Sequence, residues 1–336
     1  MEPVNLYSDT QTLPSRGMRQ AMAEAEVGDE QRFQDPSVNR LQERVAELLG
    51  HEAGLFLPTG TMCNLIGFRL HLGQAGDEVL LDRTSHPLNF EAGSPGAVSH
   101  AIVSPLDGER GVFRPEQVEA AIRPPDNRYM PRTRLVSVEQ TTNMGGGRVW
   151  PLPTVQRVLE VARAHGLRAH LDGARLMNAV VASGTPAADW ASGFDTAWID
   201  FSKGLGAPVG AVLCGTRELI KEAWRWKQML GGAMRQAGVL AAACLYALDH
   251  HVDRLAEDHE NARRLADGLS ELGLTVWPPD TNILIVEGEG LAERAAGTAV
   301  EHQPLTADRI RLVTHLDLDR AAIERALDQF RAALGC

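Results

Sequence analysis

Cysteine is scarce in this sequence, and its spacing matches no disulfide framework or metal-binding motif. Three of the four cysteines lie in apolar stretches, which favours reduced core residues in a reducing compartment. We therefore expect a cytoplasmic protein without structural disulfides and without a metal site. The four are Cys63, Cys214, Cys244 and Cys336.

Long apolar runs and an excess of basic charge are also missing. The longest apolar run, residues 238–248, is well short of the ~20 residues of a membrane-spanning helix and predicts a buried helix. Residues 1–4 carry neither the basic region nor the apolar core of a signal peptide. With 33 basic and 44 acidic residues, the net charge is −11, which argues against a nucleic-acid-binding surface. We expect neither a membrane nor a nucleic acid as a partner.

The sequence does contain enough apolar material for a sizeable core, because 44% of its residues are hydrophobic and 23% are charged. A length of 336 residues favours roughly two domains. Strand-like and helix-like segments alternate, which predicts an α/β fold with a mostly parallel sheet. We assign residues 1–240 to an amino-terminal arm and a large domain, and residues 241–336 to a small C-terminal α/β domain.

The most informative stretch is residues 199–210. An apolar run over residues 196–201 predicts a buried strand that delivers Ser202 and Lys203 into a loop of glycines and a proline. A second apolar run, residues 209–214, predicts the next strand. Burial disfavours the charged form of a lysine, so such an amine can lose its proton and attack a carbonyl carbon. Taken alone, a Ser-Lys-Gly step is more typical of a surface turn.

A second motif, residues 167–176, supplies a partner for that lysine. It predicts a short strand that ends at Asp172 and is followed by a helix. Open α/β sheets bind ligands at the carboxyl ends of their strands, so we expect Asp172 and Lys203 side by side at that edge. Pyridoxal 5'-phosphate requires this pair, a lysine for its aldehyde and an acid that keeps its ring nitrogen protonated. The sequence therefore predicts a pyridoxal-phosphate enzyme with Lys203 as the Schiff-base lysine.

A site for the cofactor phosphate can be placed earlier in the chain. Residues 55–57 predict a short strand, and Gly60 and Thr61 then open a helix that runs to about His71. A Gly-Thr step at a helix start offers free amides and a hydroxyl to an anion. An ordinary capping threonine explains the motif alone equally well. An earlier predicted helix begins near Ser37, a plausible N-cap, and ends at Gly50.

Together these motifs resemble the low-specificity L-threonine aldolases. The resemblance rests on His-Leu-Asp-Gly-Ala-Arg at 170–175, Ser-Lys-Gly-Leu-Gly-Ala-Pro-Val-Gly at 202–210 and Met-Arg-Gln-Ala-Gly at 234–238. It implies the aspartate-aminotransferase-like fold, fold type I of pyridoxal-phosphate enzymes, with the cofactor in the large domain. It also implies a lyase that cleaves L-threonine, L-allo-threonine and related β-hydroxy-α-amino acids to glycine and an aldehyde.

The resemblance implies roles for further residues. His86 matches the histidine that stacks on the cofactor ring, and it is a candidate catalytic group. Arg175 and Arg311 are the candidates for the carboxylate of the small amino acid substrate, with Ser8 adding a hydrogen bond. Arginine suits this role because its guanidinium is permanently charged and can bind a carboxylate with two hydrogen bonds.

Two basic residues point to an oligomer with sites at its interface. Lys227 and Arg235 flank a Gly-Gly turn, and the matching segment of the resembled family reaches the phosphate of a neighbouring subunit. We therefore expect a homodimer or a homotetramer. The family usually has Arg-Lys where this chain has Lys227-Gln228, so one cation is lost.

Tyr129 stands where the family usually has a histidine that contacts the substrate hydroxyl, which makes it a candidate catalytic residue. A tyrosine is mostly a donor at pH 7, so Tyr129 would orient the hydroxyl while the proton goes to His86, to water or to the cofactor phosphate. The alternative is that Tyr129 fills space.

Other functions are compatible with parts of this sequence. The same cofactor and arginines would serve a β-eliminating lyase or a racemase. A nucleotide-binding oxidoreductase is suggested by Gly204-x-Gly206, but the segment leads into a strand and lacks the third glycine of that fingerprint. His250 and His251 diverge by roughly 100° on a helix, so they predict a solvated face, as does His259, and no metal site.

Overall fold

The computed structural model describes residues 3–335, so Met1, Glu2 and Cys336 lie outside the described residues. The three described cysteines are buried and unpaired, as expected. None of the helices within residues 3–335 combines the length and hydrophobicity needed to cross a membrane.

The strands of residues 3–335 form three sheets. In chain order they are β1 (Val4–Asn5), β2 (Ala53–Leu57), β3 (Glu78–Asp82), β4 (Ile102–Leu106), β5 (Thr133–Glu139), β6 (Arg168–Asp172), β7 (Thr196–Asp200), β8 (Ala211–Gly215), β9 (Thr275–Val276), β10 (Ile283–Glu287), β11 (Val300–Glu301), β12 (Gln303–Thr306) and β13 (Arg309–Val313).

The helices alternate with these strands through the first part of the chain. They are α1 (Arg16–Ala23), α2 (Pro36–Leu49), α3 (Gly60–His71), α4 (His86–Asn89), α5 (Ser94–Ala97), α6 (Pro115–Ala121), α7 (Leu152–Ala164), α8 (Leu176–Ser183), α9 (Ala187–Ala191), α10 (Arg217–Met229), α11 (Gly238–His250), α12 (Leu255–Glu271), α13 (Leu291–Ala296) and α14 (Arg320–Leu334).

The large sheet has seven strands within the described range, in the order β2-β8-β7-β6-β5-β3-β4. The pairs from β7 to β4 are parallel, whereas β8 runs antiparallel to both β7 and β2. The small sheet is antiparallel, in the order β12-β13-β10-β9, and β1 pairs with β11 in parallel.

Both faces of the large sheet are buried. Successive residues of a strand point to opposite faces. In β8, Val212 belongs to an apolar cluster that includes α2 and α11, whereas Leu213 belongs to a cluster that includes α3 and α10. A sheet covered on both sides accounts for the nearly continuous apolar strands. The predicted α/β fold with a mostly parallel sheet is confirmed.

The division between the two cores differs from the predicted boundary at residue 240. Ala243 of α11 and Leu255 of α12 pack in the core of the large sheet, whereas Leu265 packs in the small-domain core. Leu6 of the amino-terminal arm also belongs to the small-domain core. The transition from the core of the large sheet to the small-domain core therefore falls inside α12. Helix α11 still belongs to the large domain, because it is apolar and packs against α1 and α2.

Local signals placed most elements correctly, but one helix cap differs. The N-cap of α2 is Asp35, whose carboxylate accepts a hydrogen bond from the amide of Val38 at 3.1 Å. The predicted cap, Ser37, lies in the first turn and donates to the carbonyl of Glu26 at 2.7 Å. Pro36 suits the first helical position, because a backbone N–H at this position would have no acceptor within the helix.

The prediction of a solvated histidine face is wrong for two residues. His251 is buried, with Nδ1 at 2.7 Å from the carbonyl of Leu205, because α11 ends against the loop that carries Lys203. His259 is also buried, with Nε2 at 3.2 Å from Nδ2 of Asn178.

Candidate active site

The carboxyl ends of β5, β6 and β7 meet at one edge of the large sheet. Glu139 at the end of β5 is in register with Asp172 at the end of β6. A cavity of about 350 Å³ opens at this edge and contains both Asp172 and Lys203, as predicted. It is lined by Thr10, Thr12, Thr59, Gly60, Thr61, Asn64, His86, Asp172, Ala174, Trp198, Asp200, Ser202, Lys203, Ala207 and Pro208.

Lys203 lies in the loop between β7 and β8. Gly206 has φ +74°, a conformation that glycine adopts without strain, and its amide donates to the carbonyl of Lys203 at 2.9 Å. This turn directs the chain back into β8. Nζ of Lys203 forms an ion pair with Oδ2 of Asp200, and the hydroxyl of Ser202 donates to Oδ1 of Asp200 at 2.8 Å. The amine is therefore held at the wall of the cavity.

Asp172 is buried and held by two donors. Its Oδ1 accepts from the amide of Ala174 at 3.0 Å, and its Oδ2 accepts from Nδ2 of Asn64 at 2.8 Å. Asn64 was not singled out from the sequence. The available signal was a polar residue between the apolar Cys63 and Leu65, in the buried middle of α3.

His86 begins α4, after β3, and its side chain is about one-third exposed to the cavity. Its Nδ1 is 2.8 Å from Oε1 of Glu91, and its backbone amide donates to Oε2 of Glu139 at 2.6 Å. Both glutamates are buried. Glu91 lies in an irregular segment without periodicity, so no sequence pattern marks it.

The carboxylates around His86 shift its titration. Burial lowers the pKa of His86, but the hydrogen bond to Glu91 and the charges of Asp172 and Glu139 raise it overall above its usual value. Burial, with the Asp172 charge adding to it, raises the pKa of Glu139 to about 7. Burial also raises the pKa of Glu91, against the hydrogen bonds from His86 and Asn64.

The two predicted carboxylate-binding arginines lie close together but are paired differently. Nε and Nη2 of Arg175 donate to the two oxygens of Asp9, at 2.8 and 2.6 Å. Nη2 of Arg311 donates to Oδ1 of Asn143 at 2.8 Å, and its Nη1 donates to Oε1 of Gln303 at 3.0 Å.

Their pKa values follow this pairing. Burial opposes the charge of Arg175, but the adjacent Asp9 carboxylate raises its pKa. Conversely, burial would raise the pKa of Asp9, and Arg175 keeps it below its usual range. Burial, with the repulsion of Arg175, lowers the pKa of Arg311 to about 10. Among residues 3–335, no carboxylate forms an ion pair with Arg311.

The start of α3 faces the same cavity. Thr59 caps the helix by accepting from the amide of Met62 at 3.1 Å, so the hydroxyl of Thr61 and the first amides of α3 remain for a ligand. Gly60 also allows close packing, because an added Cβ would lie 2.4 Å from the ring of Trp198.

These residues fit pyridoxal phosphate. The cavity presents an amine at Lys203, a buried carboxylate at Asp172 and a helix start at Gly60, which match the aldehyde, the ring nitrogen and the phosphate of that cofactor. His86 at the cavity wall is placed for ring contact. A larger groove of about 420 Å³ between α2 and α11 lies apart from this chemistry.

Besides Arg175 and Arg311, four predicted site residues lie outside the cavity lining. Ser8 is buried and caps the short 3₁₀ turn of Asp9–Gln11, and its oxygen accepts from the hydroxyl of Thr10 at 2.9 Å. The side chain of Arg235 is 64% exposed and pairs with Asp29 at 3.1 Å. The other two, Lys227 and Tyr129, differ more strongly from expectation.

Lys227 is fully buried instead of offered to a phosphate. Its Nζ pairs with Oε2 of the equally buried Glu30 at 2.8 Å. The amphipathic helix α10 turns this residue inward, so a phosphate outside the chain cannot reach the ammonium group. Arg235, the other residue predicted to contact a phosphate across an interface, has an exposed side chain.

Tyr129 does not reach the cavity of its own chain. It is 82% exposed and lies in the loop before β5, where Nη2 of Arg128 donates to its hydroxyl at 2.8 Å. The cavity lies at the other end of β5, about 20 Å away along a strand of this length. Tyr129 therefore lies away from the cavity of its own chain, and its contact with the substrate hydroxyl stays a prediction.

Comparison with known proteins identifies the class to which this site belongs. The model of the beta-eliminating lyase family matches residues 5–289, and the chain belongs to that family. Within it, the chain belongs with the low-specificity L-threonine aldolases. It is 41% identical to the Escherichia coli (strain K12) protein of that name, covering 98% of this chain and 99% of that protein.

Two further comparisons agree. Low-specificity L-threonine aldolase 1 of Arabidopsis thaliana is 37% identical, with 99% of this chain and 97% of that protein covered. The fold matches a solved structure of Leishmania major threonine aldolase with a TM-score of 0.85 and 23% identity, covering 99% of this chain and 100% of that one. Family membership confirms the predicted lyase class and pyridoxal phosphate as the cofactor.

Proposed function

We propose that this chain cleaves L-threonine, L-allo-threonine and related β-hydroxy-α-amino acids to glycine and an aldehyde, using pyridoxal phosphate. The observation that carries the proposal is the joint placement of Lys203, Asp172 and His86 in one cavity, with Arg311 buried nearby without an acid partner among residues 3–335. Relatives named for this activity, 41% identical over nearly the full length, support it.

Lys203, Asp172, Gly60 and Thr61 would hold the cofactor. When bound there, pyridoxal phosphate takes up the amino group of the substrate and withdraws electrons from its α-carbon. Asn64 and the amide of Ala174 both donate to the Asp172 carboxylate and fix its orientation, so it would face the ring nitrogen of the cofactor.

The substrate carboxylate would bind Arg311. Its guanidinium is buried, its Nε has no hydrogen-bond partner among the described residues, and its present acceptors are uncharged. Arg175 lies beside it, and Ser8 belongs to the arm that carries its partner Asp9. Holding the carboxylate in a fixed position decides which bond at the α-carbon is aligned for cleavage.

His86 is the candidate acceptor for the β-hydroxyl proton. It is the imidazole that lines the cavity, and Tyr129 lies about a strand length away in the same chain. Removal of this proton allows the bond between Cα and Cβ to break, so that the Cβ fragment leaves as an aldehyde. Returning a proton to the α-carbon completes glycine.

The finer proposals are an oligomer and a cytoplasmic location. An interface near Arg235 is supported by exposed apolar side chains on the neighbouring segments, with Val27 47%, Phe33 62% and Met229 67% exposed. We propose a homodimer or homotetramer in which Arg235 approaches the phosphate bound by a partner. Buried, unpaired cysteines are consistent with a reducing compartment.

A substrate panel tests the proposed reaction. Purified protein loaded with pyridoxal phosphate is incubated with L-threonine, L-allo-threonine and β-phenylserine, and glycine and aldehyde are measured. We expect the two products in equal amounts. An oxo acid with ammonia would indicate β-elimination, and loss of optical activity without either product pair would indicate a racemase.

A further inference from the structure

We propose that Asn64 and Glu91 are positioning residues that hold His86 as the tautomer with a proton on Nδ1. The bare Nε2 is then presented to the cavity, where it accepts the β-hydroxyl proton of the substrate. The identity of that proton donor rests on the proposed function. The tautomer itself follows from the protein alone, through a chain of hydrogen bonds whose directions are fixed in turn.

The chain of hydrogen bonds starts at Trp198. Its indole Nε1 lies 2.9 Å from Oδ1 of Asn64, and an indole N–H can only donate. This contact therefore decides which end of the Asn64 amide is the oxygen, an assignment that heavy-atom positions leave open in general. Trp198 is almost fully buried, so water cannot substitute for the contact.

The other end of the amide must then donate. Nδ2 of Asn64 lies 2.8 Å from Oε1 of Glu91 and 2.8 Å from Oδ2 of Asp172, and it carries two hydrogens. Each hydrogen serves one carboxylate. Oε1 of Glu91 is thus an acceptor, and so is the Asp172 oxygen beside it.

Two buried histidines are compatible with the same orientation. Burial lowers the pKa of His170 to about 3 and that of His71 to about 4, so both rings are neutral near pH 7. Nε2 of His170 is 3.1 Å from Oδ1 of Asn64, an oxygen without hydrogens, so this nitrogen donates. Its Nδ1 then accepts from the hydroxyl of Thr196, which lies 2.8 Å from both histidines.

The last step concerns His86. Its Nδ1 is 2.8 Å from the same Oε1 of Glu91, which already acts as an acceptor, so Nδ1 carries the proton. In the neutral ring Nε2 is then unprotonated. Within residues 3–335, no hydrogen bond involves this nitrogen, and His86 lines the cavity. The side-chain amide of Asn64 therefore links His86, through Glu91, to Asp172.

Histidine NMR on the whole enzyme tests this inference. We would label the pyridoxal-phosphate-loaded protein with ¹⁵N-histidine and assign His86 by the signal lost in His86→Gln. A protonated and an unprotonated ring nitrogen have clearly different ¹⁵N shifts. The variants Glu91→Gln and Glu91→Leu are compared with the parent, and Glu109→Gln, an exposed glutamate paired with Arg148, is the matched control.

We expect the parent and Glu91→Gln to have neutral His86 protonated on Nδ1, because a glutamine carbonyl still accepts from both neighbours. Glu91→Gln removes one negative charge near His86, while Asp172, Glu139 and Lys203 remain around the cavity. The protonation of His86 should therefore move to lower pH, and the acidic limb of the kcat/KM profile should move with it. Glu91→Leu removes the acceptor, so both tautomers should appear and kcat/KM should fall by ~10²-fold or more. The control should match the parent.

A parent whose neutral His86 carries its proton on Nε2 would overturn the inference. The inference would also fail if Glu91→Leu kept the tautomer and the pH profile of the parent. If Glu91→Leu does not fold, an unchanged pH profile in Glu91→Gln would overturn the inference instead. A parent with the expected tautomer that makes no glycine would instead refute the proposed function.

Discussion

The two arginines beside the cavity are buried to a similar extent, yet they face different partners. Nε and Nη2 of Arg175 donate to the carboxylate of Asp9, whereas Arg311 donates to the amide oxygens of Asn143 and Gln303. A buried charge is costly unless another charge compensates it. Arg175 thus ties the amino-terminal arm to the large domain through Asp9, and the uncharged partners of Arg311 support our proposal that it binds the substrate carboxylate.

The largest effect should come from Lys203, because a substrate held by either arginine would react only with the cofactor bound there. Lys203→Ala removes the amine that would bind the cofactor, so the visible absorption of the loaded protein and essentially all turnover should disappear. Lys221→Ala, in the exposed part of α10, is the control. A coloured, active Lys203→Ala protein would show that the arginines serve a different centre.

Arg311→Gln should distinguish the roles of the two arginines most clearly. Losing a charged partner for a buried carboxylate costs about 2–5 kcal/mol, which corresponds to a KM at least ~30-fold higher. No buried acid is left unpaired in this variant, so the free energy of unfolding should change little. Titration with L-threonine and denaturant unfolding measure the two quantities. A normal KM would remove Arg311 from the substrate site.

Arg175→Gln should show the opposite pattern. It leaves Asp9 buried without its cation, so the free energy of unfolding should fall by about 3–5 kcal/mol, and the KM measured in native buffer should rise less than in Arg311→Gln. Asp9→Asn together with Arg175→Gln should recover part of the stability. If Arg175→Gln unfolds like the parent but has the higher KM, the two roles are reversed.

Tyr129→Phe should have the smallest effect. The hydroxyl is bonded to the neighbouring Arg128 in an exposed loop, so its loss should leave stability and the turnover of an isolated chain unchanged within a factor of about two. Kinetics should be measured alongside the oligomeric state. A large fall in turnover with an unchanged assembly would mean that Tyr129 reaches a cavity through a partner subunit.

The parts of this site that could be predicted are those with a local signature. Lys203 and Asp172 each end an apolar run, and parallel strands bring such ends to one edge, so their meeting follows from chain order. Gly60 was placed by the strand-to-helix step that precedes it. These inferences require only the sheet, because the sheet determines the distance between strand ends.

The residues that were missed or misplaced depend on packing between distant segments. Glu91 and Asn64 meet only because α3 and the segment after α4 lie over the same strand ends, and no period marks either residue. Lys227 looked like a surface cation, but its partner Glu30 lies almost two hundred residues earlier. Sequence spacing cannot show which charge will cover which.

The arm that carries Asp9 has a consequence for how the enzyme is made. Val4 pairs with Val300, and the carbonyl of Leu6 accepts from the amide of Val313, so the arm can dock only after residues 300–313 have been synthesised. The hydroxyl of Thr12 also donates to the carbonyl of Lys203 at 2.9 Å. The last strand of the large sheet ends at Gly215, but the pocket is complete only after Val313 has been synthesised and the arm has docked.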